Sequence, residues 1–287
     1  MTAKLEEHQA PEGVRVRRRR RTALLGAGLI AIVATLAVLG VWKATHPSPP
    51  APPPAPSWSG GFDRGDLSQY EAVQRAAPDR IAVVRSPRRE GSFAVRLTAE
   101  DDDLVVSENP RAQLMTTVLH RPGQEQYVGW STYFPDDFPV LSGDDPFFVF
   151  FQFHGSPYDG SPPLGFGVGP DGQLELTRSE RYDYDRVWAA PLSKGRWIDF
   201  VVHVKWSKDE DGFVELWLDG RRQTFSVNGQ ERLSMQTVED DQDEGLKTIP
   251  TNYRRRGIVP EPVTIYHDEV KVGGSYAEVA PQPDGSR

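Results

Sequence analysis

Residues 197–206 read WIDFVVHVKW. Ile198, Phe200, Val202, Val204 and Trp206 fall on one side of a period-two pattern, and Asp199, His203 and Lys205 share the other with Val201. Strict alternation marks a strand with one face in a core and the other toward solvent, as in antiparallel sheets. Similar short runs recur on both sides of this stretch, separated by Gly, Pro, Asp and Asn. Strands are predicted at Ile81–Arg85, Phe93–Thr98, Arg111–Leu119, Tyr127–Phe134, Phe147–His154, Leu164–Val168, Leu174–Thr177, Trp197–Trp206, Phe213–Leu218 and Val263–Val272. Turn signals lie between them, such as Pro170-Asp171-Gly172, Asp211-Gly212 and Asp219-Gly220. Asp66–Ala76 is read as a short helical turn, and no long amphipathic helix is found. The fold class is therefore all-β, with two packed antiparallel sheets forming a sandwich or jelly roll.

Residues 147–154 read FFVFFQFH. Unbroken alternation puts Phe147, Val149, Phe151 and Phe153 on one face, and Phe148, Phe150, Gln152 and His154 on the other. Gln152 and His154 would then project together, about 6.7 Å apart along the strand. A polar pair ending an apolar strand suits a substrate groove, and it equally suits a satisfied pair at a strand end. Arg111 and Gln113 repeat this geometry, with an ordinary arginine–carboxylate pair as the plain alternative. The run Arg254–Arg256 reads as a solvated loop or as cationic contacts for an acidic sugar chain.

The first 60 residues are of another kind. Thr22 to Trp42 is uncharged and apolar for 21 residues, enough to span a bilayer core of roughly 30 Å as a helix. Arg17 to Arg21 precede it and Lys43 follows. The positive-inside rule places residues 1–21 in the cytoplasm as a basic tail, and the rest outside. The exit Trp42-Lys43-Ala44-Thr45-His46 is a poor signal-peptidase site, which favours an uncleaved signal-anchor over a cleaved peptide. Residues 43–60 form a Pro-rich linker, whose PSPPAPPPAP run at 47–56 favours extended polyproline II. Residues 61–280 are the β domain, and 281–287 are expected to be a disordered tail. The localisation expected is a single-pass cell-membrane protein with its C-terminal domain outside.

Composition excludes several functions. With no cysteine, disulfides and thiolate sites are unavailable. Residues 1–45 hold eight of the 33 basic and three of the 41 acidic residues, leaving 25 against 38 and a net charge of -13. Such a surface disfavours nucleic acid. No Gly-x-Ser-x-Gly elbow, His-Glu-x-x-His or P-loop occurs. Glu215 and Asp219 lie roughly 13 Å apart along a strand, too far for a retaining glycosidase pair. Glu239–Glu244 (EDDQDE) could take a structural calcium ion, but it lacks calcium-loop spacing and is read as a solvated loop. No cofactor or catalytic metal is expected, and the chain is read as a monomer.

Several segments together resemble the heparin lyase I-like polysaccharide lyases, the jelly-roll group that includes glucuronan lyases. They are GDLSQY near the domain start, RAQL at Arg111–Leu114, YVGWSTYFPDDFP at Tyr127–Pro139 and FQFHGSP at Phe151–Pro157. PPLGFGV at Pro162–Val168, the stretch Pro191–Gly220 and TIYHDEVKVG at Thr264–Gly273 continue the series. The resemblance implies a concanavalin-like jelly roll over residues 60–277 and β-elimination at a uronic acid. It implies that Gln152 and Arg111 engage the uronate carboxylate, that His154 is the base, and that a late-strand tyrosine is the acid. Tyr253 is the best match for that tyrosine, with Lys247 upstream; Tyr158, Tyr182 and Tyr184 are the fallbacks. Two positions depart from the family pattern. Gln113 stands where the Arg-x-Glu-Leu motif has Glu. KTIPTNY at 247–253 is longer than Lys-x-Gly-x-Tyr, and Pro250 disfavours a regular inner strand.

The function expected is a membrane-anchored lyase acting on an acidic polysaccharide, with Arg111, Gln113, Gln152 and Lys247 binding substrate. The alternative is a non-catalytic glycan-binding module, and a hydrolase of the same architecture is the third reading.

Overall fold

A computed structural model describes residues 57–282, except 106, 144–145, 156–160, 181–182, 243 and 260–261. The predicted basic tail, anchor, most of the linker and nearly all of the C-terminal tail lie outside the described residues, as do Tyr158 and Tyr182. Among the described residues, no helix is long and apolar enough to cross a membrane.

In chain order the strands are β1 (Trp58–Ser59), β2 (Tyr70–Gln74), β3 (Ile81–Val84), β4 (Ala94–Ala99), β5 (Arg111–Thr116), β6 (Glu125–Tyr133), β7 (Phe148–Gly155) and β8 (Leu164–Val168). They continue with β9 (Gln173–Glu180), β10 (Asp183–Pro191), β11 (Trp197–Lys205), β12 (Phe213–Leu218), β13 (Arg221–Arg222), β14 (Leu233–Ser234), β15 (Leu246–Arg254) and β16 (Val263–Gly273). A single turn of helix, α1 (Tyr276–Val279), follows. One sheet has nine strands in the order β13-β12-β11-β6-β16-β4-β3, with β1 beside β16 and β14 beside β12. The other has seven, in the order β10-β9-β8-β7-β15-β5-β2. Neighbouring strands pair antiparallel, so the molecule is an all-β sandwich, consistent with a jelly roll.

The face of β11 that alternation assigned to the core is buried there, from Ile198 to Trp206. Trp130 of β6 stacks on Phe151 of the other sheet at 3.8 Å and on Phe200 of its own sheet at 5.0 Å. Stacked aromatic pairs add roughly 0.5–1.5 kcal/mol beyond their burial. His120 ties the layers through a polar bridge, with Nδ1 2.9 Å from Gln126 of β6 and Nε2 2.7 Å from Thr248 of β15.

Four features differ from the expectations. Tyr70–Gln74 is a strand, not a helical turn, because Tyr70 is drawn into the core against Phe62 and donates to Gly60 O. β10 is a charged edge strand whose pattern is broken by a bulge between Arg186 and Trp188. β15 is an inner strand despite Pro250: pairing with β5 begins only at Thr251, and the register with β7 slips between Pro250 and Tyr253. The missing proline N–H therefore falls at an interruption of the ladder.

The fourth difference is inside β7. A bulge between Val149 and Phe151 lets Phe148, Phe150, Phe151 and Phe153 all reach the core. Two consecutive inward residues replace the unbroken alternation, and Gln152 and His154 share the outer face with Val149 instead of with Phe148 and Phe150.

Candidate active site on the seven-stranded sheet

Adjacent strands β7, β15 and β5 carry every described residue of the predicted site on their outer face. Lys247 is opposite His154 and Ile249 is opposite Gln152. Thr251 is opposite Gln113, and Tyr253 pairs with Arg111 on one side and Val149 on the other. The site is thus a strip of four rungs, with His154 and Lys247 at one end and Arg111 and Tyr253 at the other.

At the first end, His154 is mostly buried, and its Nδ1 lies 3.2 Å from Gly155 O. A carbonyl only accepts, so that bond places the proton on Nδ1 and leaves Nε2 as the basic nitrogen of the neutral ring. Burial holds its pKa below the ordinary histidine value; Gly155 opposes this, Arg111 adds to it, and Asp241 opposes it. Neighbouring Lys247 is buried, and its ammonium pairs with Glu71 of β2 at 2.5 Å. Its charge is already matched, which weakens it as a substrate contact.

Gln152 is 3% exposed, and its side-chain amide makes no hydrogen bond among the described residues. Gln113 sits in a neutral network, donating to Gln74 Oε1 at 2.7 Å and accepting from Thr251 Oγ1 at 3.2 Å. A glutamine in place of glutamate removes a negative charge from beside Arg111.

At the second end, the Arg111 guanidinium lies over the Tyr253 ring, Cζ 4.2 Å from its centroid, and donates to Ser107 Oγ at 2.6 Å. Its Nε is buried with no partner, and no carboxylate pairs with it among the described residues. Burial lowers its pKa and Tyr253 opposes that shift. The Tyr253 ring also meets Phe147, with centroids 5.2 Å apart and the rings tilted.

The strip does not bring His154 and Tyr253 side by side. Val149, the β7 partner of Tyr253, is five positions from His154, roughly 16 Å of strand. Thr251 occupies the rung where a compact Lys-x-Gly-x-Tyr pattern would put its tyrosine. Tyr184 of β10 lies on the other side, and its hydroxyl turns back to Ser161 Oγ at 2.9 Å. Ser161 O in turn accepts from Gln242, whose side chain packs against Gly155 beside His154.

Other members of this face escaped sequence reasoning. Glu71 and Gln74 lie on the strand read as a helical turn; Gln74, two residues on from Ala72, carried a usable period-two signal. Asp241 belongs to the acidic loop, whose sequence gave no hint of its nearness to His154. Arg254 is fully buried against Asp101 and is no substrate contact. Glu215 belongs to the opposite sheet, paired with His203, Arg222 and Arg232. Among the described residues, no group of three or more His, Asp or Glu side chains could hold a metal ion.

The fold has known company. The solved structure of an endo-β-1,4-glucuronan lyase from the fungus Trichoderma reesei is 18% identical, covering 79% of this chain and 99% of that one, with a TM-score of 0.62. An alginate lyase in complex with an alginate trisaccharide is 13% identical, covering 77% and 99%, at 0.52. A glycoside hydrolase family 131 β-glucanase domain from Podospora anserina is 11% identical, covering 77% and 97%, at 0.55. At these identities the likeness establishes the fold alone, and that fold serves lyases and hydrolases alike. No match was found among curated protein sequences. A family model described as polysaccharide lyase matches residues 62–271. That span holds the whole strip from Glu71 to Tyr253, and the chain belongs to the polysaccharide lyase family.

Proposed function

We propose that this protein cleaves a uronic-acid-containing polysaccharide by β-elimination, centred on His154. The observation that carries the reading is Arg111: a half-buried guanidinium with no carboxylate partner among the described residues, on the same face as a buried glutamine amide and a neutral histidine. That set suits an anionic sugar better than a neutral one.

Arg111 and Gln152 bind the C6 carboxylate, with Gln113 supporting them, and lower the cost of charge building at C5. His154 Nε2 takes the C5 proton. The electron pair of that C–H bond becomes the C4=C5 double bond as the C4–O bond breaks. The leaving oxygen receives a proton from a tyrosine. Tyr253 carries this role by motif, whereas Tyr184 competes through its hydroxyl near Ser161. Lys247 orders the His154 end through Glu71.

Residues 22–42 anchor the domain in the cell membrane, with residues 43–60 as spacer. The support is the apolar length and the arginines before it. Membrane fractionation with protease added from outside should leave the chain membrane-bound and its domain digestible.

The test of the chemistry is incubation of the full chain with glucuronan, alginate and heparin, following ultraviolet absorbance of the unsaturated uronate. Absorbance should rise with at least one polymer and vanish for His154→Ala. No signal across the panel from folded protein would overturn the reading. The separation of Tyr253 from His154 favours the rival glycan-binding module, which predicts polymer binding that survives His154→Ala and no product at all.

A further inference from the structure

The outer face of the nine-stranded sheet carries a second row of interest. Trp197 of β11 pairs with Tyr133 of β6, Tyr133 with Tyr266 of β16, and Tyr266 with Arg96 of β4. Paired residues project from one face, so four neighbouring strands set these side chains in a line of roughly 14 Å. Ring centroids are 5.6 Å apart for Trp197–Tyr133 and 5.9 Å for Tyr133–Tyr266. All three rings are partly exposed. Much of the surrounding sheet is covered. At Gly129 a Cβ would meet Val279 O of α1 at 2.2 Å, and Arg89 lies over Asp199 with bonds of 3.0 and 2.9 Å. Tyr133 and Trp197 line a cavity of about 1290 Å³, together with Arg88, Arg196 and Tyr276.

The charge here runs against the domain average. Arg88 is exposed and donates to the backbone carbonyls of Gly91 and Arg85. Arg96 donates to Asp79 O at 3.2 Å, and its buried Nε has no partner among the described residues. Neither pairs with a carboxylate among the described residues. In a segment of net charge -13, two uncompensated guanidiniums beside an aromatic row form a local anion-attracting surface. Flat rings offer apolar faces to sugar rings, and arginines offer paired donors to carboxylates.

We infer that this row is a second, non-catalytic binding site for an acidic polysaccharide. It lies on the sheet opposite His154, so it retains polymer without cleaving it. The inference rests on the substrate class proposed above and not on the elimination chemistry. The Pro-rich run 47–56 is the other occupant suited to aromatic rings. Charge disfavours it: PSPPAPPPAP carries no acidic group to meet Arg88 and Arg96, whereas a uronate chain does.

The test uses the full chain carrying His154→Ala, with affinity for long glucuronan measured by affinity electrophoresis. Adding Trp197→Ala with Tyr133→Ala, or Arg88→Glu alone, should each weaken binding roughly tenfold or more. In the chain with native His154, the same changes should leave cleavage of short uronate oligosaccharides unchanged. Arg88 is exposed, so Arg88→Glu keeps the test valid if the aromatic pair variant fails to fold. Unchanged affinity in Arg88→Glu would overturn the inference. An equal loss toward a neutral glucan would overturn its acidic specificity. Tighter binding after deletion of residues 47–56 would give the row to the Pro-rich run instead. If the native chain yields no elimination product, the binding result still stands, so the two failures are distinguishable.

Discussion

Arg111 and Tyr253 are register partners across β5 and β15, and the guanidinium lies 4.2 Å over the phenol ring. The pair joins a fixed positive charge to a phenol at one end of the candidate site. With Ser107 holding Nη2, the arginine is oriented before any substrate arrives, which lowers the ordering cost of binding.

Removing that charge should act on binding first. Arg111→Ala should raise KM for an acidic polymer by roughly 10- to 100-fold, matching the 1.5–3 kcal/mol of hydrogen bonds to charged groups. Steady-state kinetics on a uronan check this. An unchanged KM would remove Arg111 from the site.

Loss of the base should be more severe. His154→Gln should lower kcat by about 10²- to 10⁴-fold, the usual range for general base catalysis. The fold should persist, since Gln152 and Lys247 on either side keep their places. Circular dichroism beside kinetics separates the two effects.

The pH profile follows from burial of His154. Its folded pKa lies below the ordinary 6.5, and the neutral ring is the active base. The acid limb of kcat/KM should therefore fall below pH 6.5. Asp241 opposes the shift, so Asp241→Asn should move the limb further down. A limb above 6.5 would contradict the assignment.

Two buried histidines predict the acid stability. Burial pushes His120 down to about 4 and His267 down to about 3. Both stay neutral in the folded chain, while the unfolded chain takes up protons near pH 6.5. Their contribution is whole above about 6.5 and is lost as pH falls toward 4 and then 3. At 1.36 kcal/mol per unit these shifts correspond to about 3 kcal/mol for His120 and about 5 kcal/mol for His267. Denaturant midpoints at neutral pH and near pH 4 should differ accordingly, and equal midpoints would refute this.

The tyrosines are separated by substitution. Tyr253→Phe and Tyr184→Phe keep ring packing and remove one hydroxyl each. The proton donor is the one whose change collapses kcat while KM holds. Tyr184→Phe also breaks the bond to Ser161, and a loss confined to KM would mark it as a binding residue.

Much of the fold was legible because alternation reports burial directly. Every strand predicted from it is present, and Leu164–Val168 and Phe213–Leu218 have the predicted bounds. Pattern reading failed where the backbone departs from period two. The β7 bulge gives Phe150 and Phe151 the same face, so Gln152 and His154 reach the outer face with a different neighbour than alternation assigned. β15 was hidden by Pro250, whose cost the register slip absorbs. The pairing of Lys247 with Glu71 was out of reach, since the two are 176 positions apart and joined only across β5. The placing of His154 and Tyr253 at opposite ends of the four-rung strip likewise depends on cross-strand register, which no single strand encodes.

The central claim is elimination rather than hydrolysis, and product mass decides it. The full chain should be incubated with a uronan in heavy-oxygen water and the oligosaccharides weighed. Elimination breaks the C4–O bond and draws no oxygen from solvent into the new ends. The account predicts products carrying an unsaturated uronate, one water lighter than saturated ones and free of cleavage-dependent label. Saturated products with one heavy oxygen per cleavage would contradict it.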